Sequence, residues 1–156
     1  MPNTPITQEG FEELKAEIKN LKYGDRLQVI QEISVAREFG DLSENAEYKA
    51  AKEKQNFIEK KILQLERILS NCEIIDTKKL SNETVKFGAY VKLIALENEI
   101  LHEYRIVGEY EANLKNNKIS IMSPLAKSLI KKSVNDHIKV YTPKGIRSFK
   151  ILEIKY

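Results

Sequence analysis

Two carboxylates, Asp41 and Glu44, stand three positions apart in the stretch AREFGDLSENAEYKAAKE, which covers residues 36–53. Carboxylate oxygens suit magnesium, but that ion takes about six oxygen ligands and keeps several waters. Near the pair the sequence also offers Glu38, with no His or Cys. We therefore expect the pair to complete a magnesium site shared with a partner, as in two-metal phosphoryl chemistry, and not to bind a metal stably alone.

Apolar residues mark one face of a predicted helix on each side of this stretch. After it, they alternate at spacings of three and four from Tyr48 to Cys72, which is typical of a coiled-coil seam. Before it, the same pattern runs from Phe11 to Ala36, with one four-residue stutter beside Gly24 and Asp25. Because glycine costs a helix about 1 kcal/mol relative to alanine, we expect the first helix to bend or loosen there.

Start and stop signals predict where these helices begin and end. Thr7 can cap the first helix, Gly40 can end it in a left-handed conformation, and Asp41 with Glu44 reads as a capping box for the second. The turn between them is then short, so the two helices pack as an antiparallel hairpin. Capping is one interpretation of the two acids; exposure at the hairpin tip also leaves them available to an outside cation.

Basic side chains lie along one side of the second predicted helix. At 100° per residue, Lys49, Lys60 and Arg67 fall on one stripe, with Lys52 at its side, and Arg37 faces the tip from the first helix. Such a stripe could hold phosphates, or it could be an ordinary solvated face. Residues 1–77 hold 11 basic and 15 acidic side chains, a net charge of −4, so we expect a local contact and no general affinity for nucleic acid.

The pattern changes to strands in the second half, where residues 78–156 carry a net charge of +7. Apolar residues alternate from Val85 to Leu93 and in four later segments, while Ser123 and Pro124 begin one short predicted helix. The sequence thus predicts an α+β protein with a hairpin domain at 1–76, a linker at 77–83 and a sheet domain at 84–156.

Other features narrow the class of protein. No apolar run approaches the length of a membrane span and no signal-peptide pattern is present, so we expect a soluble, cytoplasmic protein. Cys72, the single cysteine, is interpreted as a small core residue on the helical seam. His102 and His137 have no other ligand type at metal-binding spacing.

The stretch AREFGDLSENAEYKAAKE resembles the signature of Gre-type bacterial transcription elongation factors, and its continuation KEKQNF is closer to GreA than to GreB. The likeness covers the whole chain, through TQEGFEELKAEI, CEIID, YRIVGEYEA and SPLAKSLI. It implies an N-terminal antiparallel coiled-coil hairpin followed by an FKBP-like antiparallel sheet domain with one short helix.

The resemblance also implies a function. Such factors enter the secondary channel of bacterial RNA polymerase and stimulate the polymerase's own cleavage of backtracked nascent RNA. Asp41 and Glu44 match the tip acids that stabilise the polymerase's second Mg²⁺, Arg37 and Lys52 match the patch that contacts the RNA 3′ segment, and Ser123 with Pro124 match the polymerase-docking segment. The chain would then be a monomer and no enzyme itself, with no membrane partner.

Alternatives remain open at this point. Relatives of the same fold inhibit the polymerase from its channel, although they carry a more acidic tip than the two acids present here. Phe39 and Ser43 stand where GreA relatives often have His and Lys. The effect of these two differences on the activity of the tip is left open by the resemblance. A coiled-coil adaptor would predict a stable dimer. A prolyl isomerase would need an aromatic-lined pocket, but this chain has no Trp and few aromatic residues in that half.

Overall fold

The computed structural model describes residues 3–40 and 44–156, and residue contacts divide the chain into two compact units. One unit is Phe11–Asn71; the other combines Met1–Gly10 with Cys72–Tyr156. This division differs from the predicted boundaries of 1–76, 77–83 and 84–156, because the first residues of the chain pair with the segment that follows the last long helix.

The helical unit is a pair of arms, as the heptad pattern predicts. The first arm consists of α1 (Gln8–Asn20), a π-helical turn (Leu21–Asp25) and α2 (Arg26–Arg37); the second is α3 (Ala46–Ser70). The π-helical turn confirms the predicted loosening beside Gly24, since such turns accommodate one extra residue within a helix. Within the described ranges, no helix is long and apolar enough to cross a membrane.

The arms pack through the predicted seam. Leu21, Val29, Ile58 and Ile62 form its buried centre, whereas Asp25 at the stutter is exposed. Ion pairs also connect the two arms; they are Lys22–Glu66, Arg26–Glu59 at 2.7 Å, Glu32–Lys54 at 3.1 Å and Glu17–Lys61 at 3.3 Å. Exposed pairs of this kind contribute little individually, so burial of the seam dominates the packing.

A two-stranded parallel sheet corrects the interpretation of Cys72. Strand β1 (Thr4–Ile6) pairs with β2 (Cys72–Ile74), and the N–H of Ile75 donates to the carbonyl oxygen of Ile6 at 2.9 Å. Helix α3 ends at Ser70, so Cys72 lies in a strand and not on the seam. Burial raises the pKa of its thiol, and the negative charge of Glu111 raises it further.

A five-stranded sheet forms the rest of this unit. Its strands are β3 (Tyr90–Ala95), β4 (Leu101–Val107), β5 (Lys118–Ser120), β6 (His137–Thr142) and β7 (Gly145–Lys155), in the order β5-β4-β3-β7-β6. All neighbours are antiparallel except β4 and β5, which run parallel. Helix α4 (Pro124–Leu129) follows β5 and packs its buried Ala126 and Leu129 into the core.

The predicted strand from Val85 to Leu93 is wrong in its first half. Val85, Phe87 and Ala89 are buried, as their alternation suggests, but β3 begins only at Tyr90. Gly88 has a φ of +87°, which breaks the extended conformation, and the N–H of Ala89 bonds back to Lys86 at 3.1 Å. Alternating burial therefore arises here from a turn that packs on the sheet.

Candidate functional site at the hairpin tip

The C-terminal end of α2 leads into the tip. The backbone N–H groups of Glu38 and Phe39 donate to Val35 and Ala36 at 3.1 and 3.2 Å, which tightens the last turn. Gly40 has a φ of +106°, confirming that a residue in the left-handed region ends the first arm. Asp41, like Leu42 and Ser43, lies outside the described residues, so its role stays a prediction.

Asn45, and not Asp41, caps the second arm. Helix α3 begins at Ala46, and the Asn45 side-chain oxygen accepts a hydrogen bond of 3.0 Å from the backbone N–H of Tyr48. The predicted capping box of Asp41 and Glu44 is therefore wrong, because Asn45 already occupies the N-cap and Glu44 precedes it. Glu44 therefore lies before the N-cap and is not part of the first turn of α3.

The same Asn45 side chain reaches across to the first arm. Its amide nitrogen donates a hydrogen bond of 2.6 Å to the carbonyl oxygen of Ala36, one of the carbonyls in the last turn of α2. A single half-buried side chain thus bonds to the last turn of α2 and to the first turn of α3. The predicted cap was Asp41 with Glu44 and not Asn45, although asparagine before a helical pattern is itself a capping signal.

Glu44 is exposed beside this cap. It lines a surface recess of about 450 Å³ together with Phe39, Asn45, Ala46 and Glu47. Phe39 is 70% exposed, so the recess combines an aromatic face with two carboxylates. An exposed carboxylate in this position can contribute oxygen ligands to a cation held by another molecule.

Arg37 and Lys52, predicted from opposite arms, come together in the structure. Both line one recess of about 260 Å³, with Ile30, Ile33, Ser34 and Gln55. Arg37 ends α2, with its guanidinium carbon 5.9 Å from the centre of the Tyr48 ring, and Lys52 donates to the Gln55 side chain at 3.2 Å. Two cations around a polar and apolar recess can bind a phosphate beside a nucleoside.

The remaining basic stripe is less organised. Lys49, Lys60 and Arg67 are all exposed on α3, as the helical projection predicts. None of these three lines the recess that contains Arg37 and Lys52. Arg37 and Lys52 therefore share one recess near the tip, whereas Lys49, Lys60 and Arg67 are exposed on α3 outside that recess.

The described residues contain no group of three or more His, Cys, Asp or Glu side chains that could hold a metal ion. Glu44 therefore fits magnesium only as a partial ligand, since that ion prefers about six oxygen atoms. A contributing carboxylate, with the remaining ligands supplied from outside, is the arrangement that these residues can support.

Ser123 and Pro124 begin α4, as predicted. The Ser123 hydroxyl accepts from the N–H of Ala126 at 3.2 Å and donates to the carbonyl oxygen of Ser120 at 2.6 Å. Pro124 occupies the first helical turn and is exposed, next to Met122, which is 59% exposed. Helix capping explains the position of Ser123, whereas the exposed Pro124 remains available for contact.

Comparison with known proteins matches two family models along the chain. Residues 4–74 match the family model for the N-terminal domain of transcription elongation factors, and residues 80–156 match the model for the GreA/GreB C-terminal domain. The transcription elongation factor GreA of Orientia tsutsugamushi (strain Boryong) is 53% identical over 156 residues, covering 100% of this chain and 98% of the relative.

A second relative gives the same result. The transcription elongation factor GreA of Rickettsia bellii (strain OSU 85-389) is 51% identical, covering 100% of this chain and 97% of its own. A solved structure of the transcription factor Gfh1 aligns over 100% of both chains with 28% identity and a TM-score of 0.47. On the two family models and the full-length identity, the chain belongs to the GreA/GreB family of transcription elongation factors.

Proposed function

We propose that this chain enters the secondary channel of bacterial RNA polymerase and stimulates the polymerase's own endonucleolytic cleavage of backtracked nascent RNA. The observation that carries the proposal is the position of Glu44, which is exposed between the two arms and not used to cap α3. Membership of the elongation factor family supports the partner. In this proposal the chain acts in the cytoplasm as a monomer and is not itself the enzyme.

The tip supplies carboxylate oxygens to the polymerase's active centre. Asp41 and Glu44 would contribute ligands to a Mg²⁺ that the polymerase also holds, and that ion would supply Lewis acidity for hydrolysis when bound. The exposure of Glu44 supports this role, because a carboxylate must remain accessible to join a site in another molecule. Two acids cannot hold the ion alone, so its binding depends on the partner.

The paired cations position the RNA. Arg37 and Lys52 lie in one recess, and their positive charges would hold phosphates of the displaced 3′ segment. Fixing the RNA beside the tip makes hydrolysis effectively intramolecular, which is the main way in which such positioning accelerates a reaction. The net charge of −4 on residues 1–77 favours this guided contact over independent binding of RNA.

The sheet-containing unit would attach the factor to the polymerase surface. Pro124 and its neighbour Met122 are exposed at the start of α4, so they can contact a partner without disturbing the helix. Ser123 would hold that segment in place through its two hydrogen bonds to Ala126 and Ser120.

The test is cleavage of radiolabelled RNA in a stalled, backtracked bacterial polymerase complex with magnesium. We expect the native chain to stimulate prompt shortening of the RNA, and Glu44→Gln or Asp41→Asn to lower the cleavage rate by at least about 10- to 100-fold, since that is the cost even for groups that only support a metal ligand. Both variants should still compete with the labelled native chain for the polymerase, because they change no docking residue.

Glu47→Gln provides a matched control, because Glu47 lines the same recess and the substitution removes the same charge. With this variant the polymerase should cleave the RNA at the native rate. Binding without cleavage by the native chain would contradict the proposal in favour of a channel-binding inhibitor. Absence of binding, together with a stable dimer in solution, would instead support a coiled-coil adaptor.

A further inference from the structure

Both ends of one side-chain amide are used where the two arms approach the tip. The Asn45 nitrogen donates to the Ala36 carbonyl oxygen at 2.6 Å, while the Asn45 oxygen accepts from the Tyr48 N–H at 3.0 Å. The first bond joins Asn45 to the last turn of α2, and the second caps the start of α3. A side-chain amide offers both a donor and an acceptor, whereas a carboxylate lacks the donor.

This arrangement fixes the backbone next to Glu44. Asn45 has φ −81° and ψ 100°, an extended conformation between two helices, and its side chain is half-buried. Without the bond to Ala36, the cap on α3 would remain, but nothing in the side chain would tie the start of α3 to the end of α2. The bond to Ala36 therefore connects the residue that follows Glu44 to the last turn of α2.

A second contact braces the same place. The Arg37 guanidinium lies over the ring of Tyr48, the residue whose N–H the Asn45 oxygen accepts. Arg37 follows Ala36 directly, so the last residues of α2 contact both Asn45 and Tyr48. The ring contact and the Asn45 bond are therefore two connections between the arms near the tip, in addition to the buried seam.

We propose that Asn45 is a positioning residue, which sets the placement of Glu44 in the polymerase's active centre through its cross-arm bond to Ala36. This inference rests on the proposed function and adds a requirement to it: exposed acids are insufficient unless α2 and α3 are joined at this position. A capping role alone would need only the acceptor, and the 2.6 Å bond from the amide nitrogen goes beyond it.

The substitution that separates the two roles is Asn45→Asp. Aspartate caps helices about as well as asparagine, so the bond from the Tyr48 N–H is retained. The donor to Ala36 is lost, and a carboxylate oxygen faces the carbonyl oxygen in its place. We expect the maximal cleavage rate at saturating factor to fall about 10- to 100-fold, as for a small misplacement of a reacting group.

The measurement is the cleavage rate against factor concentration in the backtracked complex, with helix content and thermal unfolding recorded for each variant. The half-saturating concentration and the helix content should match the native chain, and the unfolding temperature should fall by only a few degrees, as for the loss of one hydrogen bond. Asn113→Asp is the matched control, because Asn113 also caps a helical turn, accepting from the Lys115 N–H at 3.1 Å, and gains the same charge. It should cleave at the native rate.

The outcomes distinguish the inference from the function beneath it. A native rate for Asn45→Asp overturns the inference and leaves the proposed function standing. A loss that accompanies reduced helix content, or that disappears at high factor concentration, also overturns it, since Asn45 would then serve folding or binding. If the native chain produces no cleavage, the proposed function fails and the positioning role fails with it.

Discussion

The carboxylate of Glu111 accepts hydrogen bonds from both the backbone N–H and the hydroxyl of Thr7, across 104 positions of the chain. The N–H of Gly108 donates to the same carboxylate at 2.8 Å. Thr7 in turn caps α1, because its hydroxyl oxygen accepts from the N–H of Gly10 at 3.0 Å. A side chain bound to Gly10 would collide with Glu111, so glycine permits this close approach.

Loss of this carboxylate should destabilise the unit that contains it. Glu111→Ala leaves the N–H groups of Thr7 and Gly108 without their acceptor, and Thr7 is only 1% exposed. We expect the free energy of unfolding to fall by about 2–3 kcal/mol, as for hydrogen bonds to a charged group. Urea unfolding measures it. The exposed neighbour Glu109→Ala should change stability little; an equal loss in both variants would contradict the role of the bonds.

Glu9, in the first turn of α1, should make the free energy of unfolding depend on pH in the acidic range. A hydrogen bond from its own backbone N–H lowers the pKa of Glu9 below its ordinary value, and the nearby charge of Arg105 lowers it further, against the opposing effect of burial. Arg105 is 7% exposed and lies 3.3 Å from the Glu9 carboxylate. The depressed pKa means that ionised Glu9 favours the folded state.

This contribution is present above the unfolded pKa of about 4.5 and is lost as the pH falls through the lower folded value. Glu9→Gln should therefore be less stable than the native chain at neutral pH, and the difference should shrink as the solution is acidified. Urea unfolding across this range checks the sign. Glu13→Gln serves as a control on the same helix, and a gap for Glu9→Gln that widens in acid would refute the assignment.

Neutralising the paired cations should weaken the RNA contact. Arg37→Gln and Lys52→Gln each remove one charge from the shared recess, so we expect slower cleavage and a cleavage rate that depends less steeply on salt concentration. Cleavage rates over a series of potassium chloride concentrations give both quantities. Lys60→Gln, exposed on the same helix, should behave as the native chain. Equal effects at all three positions would indicate only general electrostatic attraction.

The exposed proline of the docking segment should affect polymerase binding without affecting folding. Pro124→Ala keeps a residue that is acceptable in the first turn of α4, so the unfolding temperature should hold while competition for the polymerase weakens several-fold. Pro143→Ala, an exposed proline between β6 and β7, is the matched control. Unchanged competition by Pro124→Ala would exclude this segment as the docking contact.

Substitution of Ser123 should have a different effect, because its hydroxyl already makes hydrogen bonds within the protein. Ser123→Ala removes the cap on Ala126 and should lower the free energy of unfolding by about 1 kcal/mol, the usual cost of a lost N-cap. Thermal unfolding measures this change. A stable Ser123→Ala variant that no longer competes for the polymerase would show instead that the hydroxyl contacts the partner directly.

Local patterns in the sequence determined the elements of the hairpin and much of the sheet. The seam of each arm, the loosening beside Gly24, the left-handed Gly40 and the Ser-Pro start of α4 all follow from preferences expressed within a few residues. Helical periodicity and capping are short-range effects, so the sequence displays them directly. The exposure expected for Glu44 belongs to the same class.

Only the tertiary structure decided which distant groups meet. The pairing of Thr4–Ile6 with Cys72–Ile74 groups the first ten residues with the sheet-containing unit, although the predicted boundary of 1–76 placed them in the hairpin domain. Asn45, and not Asp41, caps α3, and its amide nitrogen also donates a hydrogen bond to the carbonyl oxygen of Ala36 on the other arm. Arg37 and Lys52 share a recess because the arms pack in one register. Each of these depends on contacts between separate segments, whose free energy no local pattern records.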